Sequence, residues 1–162
     1  MDPLPEDQRQ LLRHSLATLA YRAAKALRGA PESFGAFRVA DATRTPAQIL
    51  AHIGDLLDWA LAMAAGRPAW HDSAPLPWAQ EVARFFEALR RFDDYLSSGR
   101  PLGESERKLF QAPIADALTH VGQISMLRRL AGSPVKGESY LKANIVVGRV
   151  GPDQAPAKRE FD

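Results

Sequence analysis

Hydrophobic positions along this chain fall into four blocks, each with the three- and four-residue spacing that lines side chains along one face of an α-helix. In the first, Leu12, Leu16, Leu19, Ala23 and Leu27 form a stripe, Gly29 and Pro31 supply a stop, and the spacing predicts a helix over residues 6–28. The second opens on Thr45, Pro46 and Gln48, a capping box with proline at the first helical position. Its stripe of Ile49, His52, Ile53, Leu56, Ala60 and Met63 runs to about Ala65, where Gly66 and Pro68 end it. Val82, Phe85, Phe86, Leu89, Phe92 and Leu96 make the heaviest face and predict the main packing helix, closed by Ser97, Ser98, Gly99 and Pro101. The fourth block starts after Pro113 with Ile114, Ala117, Leu118, Val121, Ile124, Leu127 and Leu130, and Gly132 with Pro134 terminates it.

The segments between the blocks read as connections. RPAWHDSAPLPWAQ carries Pro68, Pro75 and Pro77 and reads as a loop that Trp70 and Trp78 pin to the helices. GESERKLFQA reads as a polar stretch leading to Pro113. After the last block, ESYLKANI allows one or two helical turns, and VVGRVGPDQAPAKREFD reads as a tail that packs early and frays late. With no alternating strand pattern and no repeat, the expected fold class is all-α. The expectation is a four-helix bundle with long crossover connections after the first and third helices and a partly ordered C-terminal tail. It is expected to be one domain, 1–162, with its core over 6–132 and its tail over 133–162.

Composition narrows the function classes. A chain of 162 residues, 46% hydrophobic and 25% charged, is long enough to bury a core and has the balance of a soluble globular protein. Its 21 basic and 19 acidic residues are interspersed, with no basic run longer than a pair such as Arg90 and Arg91, which argues against nucleic acid as a partner. There is no cysteine, so any transition metal must be held by histidine, carboxylate or water. MDPLPEDQRQ has no basic region followed by an apolar stretch and is not expected to be a signal peptide, and the apolar stretches are too short to span a membrane. A cytoplasmic location with no membrane partner is expected.

Candidate chemistry centres on DALTHVGQ. Asp116 and His120 lie four apart, so a helix presents carboxylate and imidazole side by side, with Cβ atoms roughly 5–6 Å apart. His52 adds an imidazole from the inward stripe of another helix. Three ligands from two helices, with a position left for water, is the pattern of a catalytic metal site, and the ligand types suit zinc, nickel or ferrous iron. The structural alternative is that the histidines are hydrogen-bonded core residues and Asp116 favours its helix dipole. Asp55 could orient His52 or reach the metal, or be a helix-surface aspartate near arginines, and Gln123 could hydrogen-bond a ligand or substrate. Trp59 and Tyr140 could wall a pocket or simply pack, and Glu138 and Arg128 could meet substrate or form surface salt bridges. His14 and His71 have no ligand-spaced partners and stay outside the site. No nucleophile elbow or phosphate-binding glycine pattern is present.

Two stretches carry a family resemblance: AQILAHIGDLLDWALAMAAGRPAW and DALTHVGQISMLRRLAGSPV. They resemble the second and the final bundle helices of the DinB/YfiT-like superfamily of metal-dependent helical bundles, with the likeness covering about residues 10–150. The resemblance implies that His52 is the single metal histidine of the second helix. It also implies that His120, followed by Gly122, Gln123, Leu127 and Arg128, is the second of a histidine pair. Asp116 stands where the first histidine of that pair is usual, a position at which the mycothiol-dependent isomerase branch uses glutamate. The family likeness further implies a homodimer and a divalent metal at one end of the bundle core. The implied reaction is thiol transfer, isomerisation or hydrolysis on a small electrophilic substrate, with a low-molecular-weight thiol as cosubstrate in the thiol-dependent case. A cation there would lower the pKa of a bound water or thiol and make it a nucleophile. The rival expectation is a non-catalytic binding or dimerisation module whose metal site has been weakened by the aspartate.

Overall fold

The computed structural model describes residues 5–161; residues 1–4 and 162, which the single-domain reading and the signal-peptide reading include, lie outside the described residues. Five α-helical segments follow one another: α1 (Pro5–Leu27), α2 (Pro46–Ala64), α3 (Trp78–Ser97), α4 (Glu106–Leu109) and α5 (Ala115–Leu130). A π-helical turn, Phe110–Ile114, joins the last two into one rod, so the architecture is the expected four-helix bundle. Among the described residues no helix is long and apolar enough to cross a membrane.

Local chemistry explains the boundaries. Thr45 Oγ1 accepts from the Gln48 amide at 3.2 Å while Gln48 Oε1 accepts from the Thr45 amide at 2.9 Å, the capping box read from the sequence. At the other end of α2, Gly66 takes φ 73° and the chain meets Gly103, whose added Cβ would lie 2.2 Å from Gly66 Cα. Only glycine permits that backbone contact, and it is locked by Gly103 N donating to Ala64 O at 2.8 Å.

Packing follows from the stripes. α2 lies against α3 and α5, and α1 lies against the same two, so α1 and α2 occupy opposite corners of the bundle. Connections 28–45 and 98–105 therefore cross diagonals. Leu16, Leu19, Leu50, Ile53, Leu57, Phe85, Leu89, Phe92 and Ile124 are fully buried between them. Each contributes roughly 1.5–3 kcal/mol of burial free energy. Trp78 is buried against Phe34 at 5.2 Å, edge to face, and pins the start of α3 as expected.

Three expectations need correction. The polar stretch before Pro113 is already helical: Ser105 Oγ accepts from the Lys108 amide and starts α4, and the third connection is shorter than the second, 65–77. Pro113 cannot donate an α-helical bond and its ring would crowd the carbonyl of Leu109, so the helix widens into a π turn, closed by Ala115 N donating to Phe110 O. The tail does not fray at its end. Ser139 N donates to Arg159 O at 3.0 Å and Phe161 N to Gly137 O at 2.8 Å, around an antiparallel bridge of Glu138 with Glu160, and ESYLKANI supplies a single 3-10 turn, Tyr140–Lys142.

Finally, Glu138 and Arg128 are buried rather than surface ion pairs. Glu138 accepts from Tyr21 OH at 2.8 Å and Lys25 Nζ at 2.9 Å. Arg128 has its guanidinium on the carbonyls of Ala26, Arg28 and Ser133 and on Ser133 Oγ, at 2.7–3.0 Å. It thereby caps the C-terminal end of α1, where unpaired carbonyls carry the negative end of the helix dipole.

Candidate metal centre

The contact between α2 and α5 brings His52, Asp116 and His120 together. His52 Nε2 is 3.6 Å from Asp116 Oδ2, and His120 Nε2 is 3.4 Å from Asp116 Oδ1. The two imidazole rings stand perpendicular with centroids 4.8 Å apart, and one donor atom from each of the three residues lies within 4.8 Å of the others. Separations of 3.4 and 3.6 Å exceed a good N–H···O hydrogen bond. Each runs to a different oxygen of the Asp116 carboxylate, and both lie near the edge of about 3.4 Å expected between two ligands on a tetrahedral ion with bonds of about 2.1 Å. The donor set and its spacing fit a divalent cation.

Gln123, three residues further along α5, meets the far side of the His120 ring. Its Oε1 lies 2.8 Å from His120 Nδ1, and because an amide oxygen only accepts, Nδ1 carries the proton. The lone pair is then on Nε2, the nitrogen that faces Asp116, which is how outer hydrogen bonds orient metal-binding imidazoles. Burial, with help from the neighbouring His120 ring and the Arg44 guanidinium, pushes the His52 imidazole below its usual pKa against the pull of Asp116. His52 is therefore held in the neutral form that can donate a lone pair.

The site has a wall and an opening. Trp70 meets His52 at 5.8 Å and Trp59 at 5.8 Å, both edge to face. On the other side, Asp116 is 46% exposed and lines a shallow groove of about 430 Å³ shared with Leu56, Trp59, Gln111 and Thr119. The π turn forms part of the rim through Gln111 and Ala112, consistent with the frequent placement of π bulges at functional sites.

A second cluster, Asp55, Asp58 and His71, also places three donor atoms within 4.8 Å. Its chemistry differs, because the cluster already contains a cation. Arg84 Nη2 donates to Asp55 Oδ1 at 2.5 Å and Asp58 Oδ2 at 3.4 Å, and Ser73 supplies its amide and hydroxyl to Asp55 at 2.8 and 2.7 Å. Burial of Asp55 opposes its charge, yet the bonds from Ser73 and Arg84 outweigh it and hold the carboxyl below its ordinary range. A metal ion would have to displace the guanidinium, so this cluster is an ion-pair network. Asp55 thus turns toward Arg84 and the second connection: it meets an arginine, but buried at 3% exposure rather than on the helix surface.

His71, left outside the site by spacing, has partners after all: its Nε2 is 3.0 Å from Asp55 Oδ1 and 3.5 Å from Asp58 Oδ2. It reaches them from the proline-rich connection, where no helical spacing could show it. Tyr140 packs with Tyr21 and beneath Arg22 in the contact between α1 and the tail, and walls nothing near His52. His14 is exposed and its carbonyl accepts from Thr18, so it stays outside as expected.

No protein-family model, curated protein or solved structure matches this chain. Fold and site together define an all-α four-helix bundle with a candidate metal centre of two histidines and one aspartate, contributed by two of its helices.

Proposed function

We propose that this chain is a metal-dependent enzyme of the DinB/YfiT-like kind, working as a cytoplasmic homodimer on a small electrophilic substrate. His52, Asp116 and His120 hold a divalent ion, zinc, nickel or iron. The observation that carries the reading is the pair of 3.4 and 3.6 Å separations among their donor atoms, with the His120 tautomer set by Gln123. When bound, the ion acidifies a water or a low-molecular-weight thiol, the chemistry of thiol transfer, isomerisation or hydrolysis.

The chain's own residues do the rest. Neutral His52 and His120 donate lone pairs, and Asp116 offsets one unit of the ion's charge. Asp116 also lines the groove, so the carboxylate that would hold the ion faces the space a substrate would occupy. Trp59 and Leu56 give that substrate an apolar surface, and Gln111 and Thr119 give it polar contacts.

The test is elemental analysis of untagged protein beside His52→Ala, Asp116→Ala and His120→Ala. About one ion per chain in the parent, lost in the variants, supports the site. Equal retention by all three variants removes it, and no uptake by the parent from zinc, nickel or iron solutions favours the non-catalytic module.

A further inference from the structure

Two backbone amides of connection 65–77 end on buried carboxylates. Ser73 N donates to Asp55 Oδ2 at 2.8 Å, and Leu76 N donates to Glu81 Oε2 at 2.8 Å. Asp55 is 3% exposed and Glu81 is fully buried. One guanidinium joins them, since Arg84 donates to Asp55 through Nη2 and to Glu81 Oε1 through Nη1 at 3.1 Å, and it also reaches Ala51 O at 3.2 Å. Buried carboxylates carry a large desolvation cost unless fully paired, so breaking this set by removing one member leaves the others stranded.

The guanidinium can lie across α2 because position 54 has no side chain. A Cβ on Gly54 would sit 3.0 Å from Arg84 Nη1 and 3.1 Å from its Cζ. The same turn of α2 carries His52, and the same connection carries Trp70, whose ring packs on His52 and Trp59 while itself 45% exposed. Although about half of the indole is covered, the proline-rich connection that carries it has no helix of its own to fix it. That connection is tied down just after Trp70, by His71 on Asp55 and by the Ser73 and Leu76 amides.

We propose that Asp55, Arg84 and Glu81 form a latch whose function is to position Trp70 as the wall of the metal centre, so that they are positioning residues for that centre. The inference rests on the metal reading above for its purpose, though the latch and the wall are measurable without metal. Opening the latch frees the connection, lifts Trp70 from His52 and lets ligand atoms exchange with solvent.

The experiment compares the parent chain with Asp55→Ala and with Gly54→Ala, whose added Cβ crowds the Arg84 guanidinium at 3.0 Å and makes it shift without removing a charge. In metal-free protein the Ser73 and Leu76 amides are expected to exchange at least about tenfold faster in both variants, with tryptophan quenching by acrylamide rising about twofold. In zinc-loaded protein, release of zinc to an excess of chelator is expected to be at least about tenfold faster in both. Trp70→Ala should reproduce the fast release while the two amides keep their protection, which separates wall from latch. Protected amides in both latch variants would overturn the proposal, as would freed amides with quenching and zinc release unchanged. If the parent binds no zinc, the metal reading fails, and amide exchange with quenching still decides the latch. Gly54→Ala covers the case in which Asp55→Ala does not fold.

Discussion

The sharpest check on the metal centre is Gln123→Leu. Gln123 is exposed and makes one bond that matters here, 2.8 Å to His120 Nδ1, so its replacement leaves the core and all three ligands untouched. What it removes is the acceptor that keeps the proton on Nδ1 and the lone pair on Nε2. Water can reach that position but is a less fixed acceptor than the carboxamide oxygen. Loss of such an outer partner typically costs 10–100-fold in metal affinity, and about thirtyfold, or about 2 kcal/mol, is expected here. Competition for zinc against a chromophoric chelator at neutral pH reads the number directly. The zinc-dependent rise in thermal stability should shrink by the same ~2 kcal/mol at fixed excess zinc, with the metal-free protein unchanged. Gln123→Glu, which restores a stronger acceptor, should bind at least as tightly as the parent. An affinity for Gln123→Leu within about twofold of the parent, while His120→Ala abolishes binding, would refute the reasoning, because the tautomer would then be set without Gln123.

Arg128→Leu should destabilise the fold by about 3–4 kcal/mol, since it strands carbonyls of Ala26, Arg28 and Ser133 that now accept charge-assisted bonds; a urea midpoint shift worth under ~1 kcal/mol would contradict it. Burial lowers the His52 pKa, so the unfolded chain takes up its proton at higher pH than the folded one. The stability of metal-free protein should therefore fall as pH drops from above the unfolded value of 6.5 and level off below the folded value, and His52→Gln should flatten that part of the profile in urea titrations. Tyr21, pushed up to about 12 by burial and by its bond to Glu138, should be late to ionise in an ultraviolet titration. Its contribution to stability is complete below the unfolded value of 10.0 and is lost as pH rises through about 12; ionisation near 10.0 in the folded protein would contradict the buried contact.

Helical periodicity carried most of what was readable. The stripes of α1, α2, α3 and α5, the Thr45 capping box and the crossing connections all follow from spacing along one chain. That His52, Asp116 and His120 come together as a candidate metal centre was legible for the same reason, since His52 sits in an inward stripe and Asp116 and His120 share a helix face. The π turn was written in the sequence less plainly. Leu109 and Ile114 are both fully buried and stand five apart, a π spacing, with Pro113 between them; the polar residues around Leu109 masked it. His71 and the closing of the tail rest on partners met only in space, from segments with no periodicity, so neither could be read from one chain.

The tetrapeptide His52, Ile53, Gly54 and Asp55 shows why the centre sits where it does. Consecutive helical residues point about 100° apart, so one turn of a helix in the middle of a bundle meets a different neighbour at each position. His52 meets Asp116 and His120 on α5, Ile53 fills the core, Gly54 makes room for Arg84 from α3, and Asp55 holds the connection that brings Trp70 back over His52. A ligand on this turn inherits rigidity from three independent contacts, which is what holding a metal-binding imidazole in one orientation requires. The same crowding means that a substitution at any of the four positions disturbs a different neighbour. Changes at Gly54 or Asp55, which lie outside the set of His52, Asp116 and His120, should then register at the candidate metal centre through its surroundings.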